Sequence, residues 1–292
     1  MNTQSNSVPT VMSATRPMYW SVRRELWEHR SIYIAPLAVA AVTLFGFLIA
    51  TIGRAVATHD PAQRAAVLAE PTTFAALLIM GTAFVVGVFY CLEALHGERR
   101  DRSILFWKSL PVSDLTTVLA KASVPLVILP LLCFGLTIAT QWIMLLLSTA
   151  VLLASGQSAA ALWTHLPLFQ MPLILLYHLL TSHGLWYAPI YAWLLMVSGW
   201  ARRAPFLWAA LPLVMINVVE KIAFNTSYFG DMLKSRFMGG PDGAFTAGSM
   251  AMDPAHLTPG LFLSSPGLWI GLAIAAAFLS AAVRLRRSQG PI

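Results

Sequence analysis

The residue types able to do chemistry in this chain concentrate in one short stretch. Glu93, His96, Glu98 and Asp101 follow one another closely. Carboxylates and imidazoles gathered at one membrane face are what an integral-membrane enzyme acting on lipids would need as acids and bases. Here Arg99, Arg100, Arg102 and Lys108 crowd the same stretch, and neighbouring cations hold carboxyls ionised rather than poised as acids. His178 and His183 lie five apart, about 140° around a helix, and so do not share a face. No HExxH pattern occurs and no carboxylate lies near them, which leaves no metal site to argue. No G-x-x-x-x-G-K-[ST] loop is present, so the chain has no such cradle for nucleotide phosphates. Cys91 and Cys133 sit in apolar runs and read as small core residues.

The elements that carry these residues are unusually apolar. Of 292 residues, 58% are hydrophobic and 11% charged, with mean hydropathy +0.70. Soluble domains carry about 25% charged residues. The net charge of +7 could point to nucleic acid, but the basic residues flank apolar runs, where they set orientation and meet anionic headgroups. Nucleic acid is not needed to explain them. Residues 1–15 are polar and lack a basic segment followed by an apolar one; they read as a disordered cytoplasmic tail with no cleavable signal.

A bilayer crossing takes about 20 mostly apolar helical residues. Candidate spans run over about 31–53, 72–95, 116–155, 166–200, 205–224 and 261–283. Within the lipid each must be helical, because its backbone has no water to bond. The run 116–155 would reach roughly 60 Å as a helix. It has no turn cluster, so it reads as one long helix kinked near Pro125 and Pro130. The run 166–200 reads as a kinked or partly broken single span at Ser182–Gly184 and Pro189, because halving it leaves pieces too short to cross. The expectation is an all-α integral membrane protein with six crossings, eight being the lesser alternative. Residues 54–71 and 225–259 would be outer loops. With the N-terminus inside, 14 of the 19 Lys and Arg fall on the cytoplasmic side, which places both termini there.

Two amphipathic pieces stand outside the spans. In Pro17–Arg30 a helical wheel gathers Met18, Tyr19, Val22 and Leu26 on one arc, flanked by Trp20 and Trp27, with Ser21, Arg24, Glu25 and Glu28 opposite. This predicts a helix in the inner headgroup layer, with Arg23 and Arg30 reaching out of it; a plain extension of the first span is the alternative. The second piece is the charged stretch itself, between spans two and three. Ser103 can cap a short helix over 104–110 that Pro111 stops. It would expose Ile104, Leu105, Phe106 and Trp107 within a charged rim, as protein contacts do. Dipping of the same residues into headgroups is the alternative.

The order Gly97-Glu98-Arg99, Asp101-Arg102-Ser103, Leu105, Ser109-Leu110-Pro111-Val112-Ser113 and then Lys121 resembles the cytoplasmic loop of ABC-2-type ABC transporter permeases. Arg102 stands where that loop commonly carries Gly. The span count, the preceding amphipathic helix and the basic C-terminal segment are similar to that family as well. The resemblance implies a coupling helix that docks into a separate cytoplasmic ABC ATPase subunit. Ile104, Leu105, Phe106 and Trp107 would be its plug, and Glu98, Arg99, Arg100, Asp101, Arg102 and Lys108 its charged surround. It further implies a bacterial inner-membrane exporter subunit that pairs with a second permease copy and catalyses nothing itself. ATP and Mg would be bound by the partner, and this chain would need no cofactor or metal.

Polar residues inside the spans complete the reading. Thr137, Thr140, Gln141, Tyr177, His178 and Asn217 could line a substrate path or join helices by hydrogen bonds. Glu220 and Lys221 fall near the outer end of span five, in headgroups or at depth. Glu93 could pair with Arg99 or Lys121. A lipid-modifying enzyme and a non-transporting scaffold remain as other readings.

Overall fold

Long apolar runs punctuated by proline and short polar turns fold here into helices and nothing else among the described residues. The computed structural model describes residues 15–55, 61–154, 156, 163, 170–237 and 259–292, with side chains at 16–51, 72–154, 156, 163, 172–177, 179–181, 183–237 and 262–292. The expected tail over 1–14 lies outside them. Helix α1 (Thr15–Glu28) turns at His29 into α2 (Ser31–Ala55), and α3 (Pro61–Ala94) returns. Two short helices follow, α4 (His96–Arg100) and α5 (Ile104–Ser109). Then α6 (Asp114–Ser123), a π-helical turn (Val124–Ile128) and α7 (Leu129–Ala154) run on as one rod. Beyond it come α8 (Gln170–His178), a second π-helical segment (Leu179–Trp186) and α9 (Ala188–Trp200). The chain ends with α10 (Pro205–Phe224), α11 (Tyr228–Phe237), α12 (Pro259–Ser264) and α13 (Pro266–Ser288).

Among the described residues, five helical stretches are long and apolar enough to cross a bilayer: Ser31–Thr51, Thr72–Arg100, Asp114–Ala154, Pro205–Phe224 and Pro266–Ser288. The chain is therefore an all-helical protein built to pass a membrane several times. The segment expected as a fourth crossing is the broken one: α8, the π segment and α9 share it, and α9 alone has 13 residues. Pro189 stands in the first turn of α9, just after the π segment, where a helix has no use for its N–H. A second π turn lies in the long rod and holds Pro125, one of the two prolines at which the sequence predicts a kink. Two expected loops prove partly helical. Residues 61–71 are the opening turns of α3, and 228–237 form α11.

The core lies between α3, α9, α13 and the rod. Ile79, Leu129, Tyr187, Tyr191, Leu195 and Leu268 are buried in it. Gly87 lets Tyr191 approach, since a Cβ there would crowd its ring. In α10 only Ala209 is buried, so its remaining faces stay open. The C-terminal ends of α3, α9 and α13 meet the starts of α2, α6 and α10 at one end of the bundle, where the buried ion pairs collect. The starts of α9 and α13 meet α11 at the opposite end.

Candidate functional site: an exposed elbow on a buried ionic node

The charged end is organised by Lys121, the lone cation of the 116–155 run. One helical turn before the π segment, it points inward and is 1% exposed. Its Nζ lies 2.8 Å from Oε1 of Glu25 and 3.1 Å from Oε1 of Glu98. Arg24 Nη2 reaches the same two carboxylates at 2.6 and 2.9 Å. Tyr90 donates its hydroxyl to Oε2 of Glu25 at 2.9 Å. On the far side Arg286 bonds Glu98 and sets its Nε 3.1 Å from Oδ1 of Asp114. Three carboxylates thus face three cations, and α1, α3, α4, α6 and α13 all contribute.

Burying unpaired charge is expensive, so this node holds only while its members stay matched; removing one leaves a stranded ion. The pull on Glu25 is visible in its acidity. Burial alone would push the carboxyl up, but Lys121 and Arg24 beside it hold it down to about 2. Glu28, one turn on, moves the opposite way, because burial outweighs the nearby Arg24. Glu25, Glu28 and His29 bring ligand atoms within 4.8 Å of one another. Glu25, however, is already spent on Lys121, Arg24 and Tyr90, so the group reads as part of the ion-pair network and not as a metal-ligand set.

A second set of bonds fastens α4 to the ends of α9 and α13. The Ser198 hydroxyl accepts from the backbone N–H groups of Leu95 and His96 at 3.0 and 2.9 Å. Arg99 donates to the Gly199 carbonyl at 2.6 Å and to the Gly290 carbonyl at 3.2 Å. The Ile292 N–H donates to the Arg99 carbonyl at 3.2 Å. Lys108, at the end of α5, donates to the Gln289 carbonyl at 3.1 Å, beyond the last turn of α13.

What remains outside is small and apolar. On α5, Leu105 is 59% and Phe106 60% exposed. Trp107 is half-buried, its ring 3.9 Å beneath the Arg24 guanidinium. Ile104, expected in the exposed plug, is 1% exposed and turned inward; a six-residue helix covers more than a full turn, so one of its apolar side chains must face the bundle. Glu98 and Arg99, expected on the charged surround, are buried in the node and its bracket. Arg100, Asp101, Arg102 and Lys108 stay on the surface. Arg100 takes Glu93 at 2.9 Å, in place of the Arg99 or Lys121 expected for that carboxylate. Ser103 stands at the start of α5 but does not cap it; its hydroxyl donates to the Glu98 carbonyl at 3.5 Å. Arg102 adopts φ 58°, the left-handed conformation that Gly enters freely.

Helix α1 is rotated from the expected setting. Its Arg24 and Glu25 edge enters the bundle, and Leu26 packs against the core. Tyr19, Trp20 and Trp27 face out. Arg23 lies over both tryptophans, 5.2 Å from the ring centre of Trp20 and 4.7 Å from that of Trp27. The ion pairs fit this rotation, because turning Glu25 outward would leave the buried Lys121 short of a matching charge.

The candidate path residues lie on α7, α8 and α10. Thr137 and Thr140 are buried on α7, and Thr140 bonds back to the Leu136 carbonyl. Gln141 and Tyr177 are part-exposed. The side chain of His178 lies outside the described residues. Asn217 sits against Gly230 of α11. Glu220 proves to be a cap: it accepts from Thr226 Oγ1 at 2.9 Å and from the N–H groups of Tyr228 and Phe229 at 2.7 and 2.9 Å. Sequence reasoning missed Glu25 and Glu98 as partners of Lys121, and Tyr90, Asp114 and Arg286 as further members of the node. The one available signal was an isolated lysine in forty apolar residues.

Comparison of the chain with models of known protein families, with curated proteins and with solved structures finds no significant match.

Proposed function

We propose that this chain is the membrane-spanning permease subunit of an ATP-driven exporter, moved by a separate cytoplasmic ATPase that docks on α5. The observation that carries this reading is the pairing of an exposed Leu105–Phe106 tip with a buried ionic node directly behind it. An exposed apolar tip rimmed by charge suits a protein groove. A push on it would pass through Trp107 to Arg24, through Lys108 to the end of α13, and through Glu98 to Lys121 on the rod. The charged end then faces the cytoplasm, as positive residues prefer, with both termini inside a bacterial inner membrane. The broken segment 170–200 makes a sixth crossing, and a second copy of the chain completes the path. ATP and Mg belong to the partner, and this chain performs no covalent step.

The test replaces Leu105 and Phe106 together by Asp. Co-purification with a phosphate-loop ATPase is expected to be lost while membrane insertion and thermal stability stay unchanged, because neither side chain belongs to the core. Undiminished co-purification overturns the reading. One observation favours the lipid-enzyme alternative: His29, Tyr90 and Glu93 share an open cleft with Phe89 and Phe206 beside the node. That alternative requires His29→Ala to abolish activity while the double Asp variant keeps it.

A further inference from the structure

At the end of the bundle opposite the node, Arg236 reaches from α11 back to the helices. Its guanidinium donates to the Trp186 carbonyl at 3.2 Å and to the Gly267 carbonyl. It lies over the Trp186 ring, 4.1 Å from the centre. The Trp186 carbonyl ends the π segment and the Gly267 carbonyl belongs to the first turn of α13, both places where a helix is disrupted or begins. Gly271 makes room: a Cβ there would overlap the guanidinium. Trp186 Nε1 donates to the Ser235 carbonyl at 3.4 Å, and the Tyr187 hydroxyl donates to the Phe237 carbonyl at 3.0 Å.

Beneath this contact runs an aromatic column. The His183 and Tyr187 rings are 5.3 Å apart and those of Tyr187 and Tyr191 6.5 Å. Phe84 packs on Tyr187 at 5.0 Å and meets the Phe237 ring at 6.0 Å. Among the described residues α11 itself has no buried side chain. It is joined to α10 through Asn225, which takes φ 52°, and through the Glu220 cap. A surface helix with a defined pivot, whose inward ties lie at its C-terminal end around Arg236, can move without unpacking the core.

We propose that α11 is a hinged lid over the His183–Tyr187–Tyr191 column, latched shut by the Arg236 guanidinium. Among the described residues the latch bonds to carbonyls and not to carboxylates, so it is weaker than an ion pair and suited to opening. Closed, the lid buries hydrogen-bonding groups of the broken segment. Open, it would expose them to the far side of the membrane. The proposal concerns the end away from α5, and its test requires no transport, so it stands or falls apart from the permease reading.

The test is amide hydrogen exchange on the full chain in lipid nanodiscs. Arg236→Ala removes the latch. Gly271→Ala, on a different helix, keeps the arginine but puts a methyl group where its flexible tip rests. Each is expected to speed exchange over 228–237 by about tenfold, the effect of losing charge-assisted hydrogen bonds. Exchange in α9 and α13 should stay as in the parent. The double variant should open no further than either single one, because both act on one contact. Unchanged exchange in α11 overturns the proposal. So does faster exchange spreading into α9 and α13, which would make the contact a structural tie, and so do effects that add in the double variant.

Discussion

The two ends of the bundle are held together by different physics. At the charged end three carboxylates and three cations interlock four helices, the Tyr90 hydroxyl ties in α3, and carbonyls of the last residues bracket α4 and α5 as well. At the opposite end one arginine rests on two carbonyls and an indole. Matched buried ions resist partial change, because breaking any pair strands a charge. Neutral acceptors release a cation at much lower cost. One end is thus built to move as a block and the other to let go.

The comparison is broken most forcefully at Lys121. Lys121→Met removes the fully buried one of the two cations that Glu25 and Glu98 share, leaving only Arg24 between them, and is expected to destabilise the fold by about 3–5 kcal/mol. A large fall in the thermal midpoint of the purified protein checks this. Arg236→Ala, by contrast, should shift it only slightly. A midpoint unchanged in Lys121→Met would mean that the node is not what joins α1 to the rod.

Acid sharpens the contrast. The folded Glu25 carboxyl sits at about 2, below its ordinary value of 4.5. Its contribution is therefore complete above about pH 4.5 and is lost as pH falls toward 2. Fluorescence of Trp20 and Trp27 should report release of α1 within that window. Release at higher pH, or none at all, contradicts the assignment.

The smallest effect is expected at Arg102. Its φ of 58° costs an ordinary side chain about 1 kcal/mol or more and a β-branched one further still. Arg102→Gly should leave the thermal midpoint unchanged or slightly raised, while Arg102→Val should lower it. Equal midpoints for the two would show that the turn is not strained.

Much of the helical architecture was legible because lipid leaves a chain few options. Apolar length marked the spans, and the prolines at 125 and 189 marked where two of them deviate. The site was legible only in its outer layer. Phe106 and Leu105 advertise themselves by being apolar among charges. Glu98 and Ile104 sit in the same stretch, yet their inward direction depends on what lies behind them. The node was hidden because its members are far apart in sequence: Glu25 meets Lys121 and Glu98 meets Arg286 only once the helices pack. The rotation of α1 followed the same logic. The helical wheel weighed apolar against polar residues and could not register a buried lysine waiting for a carboxylate. Arg236 read as an outer-loop charge for want of any pattern in its neighbours.

The account turns on whether the α5 tip meets a nucleotide-hydrolysing partner. A photo-crosslinking amino acid at position 106, activated in intact cells, reads this directly. A crosslinked protein carrying a phosphate loop, absent when Leu105 is also replaced by Asp, is the predicted result. Crosslinks to lipid alone, or to no ATPase, would contradict the account.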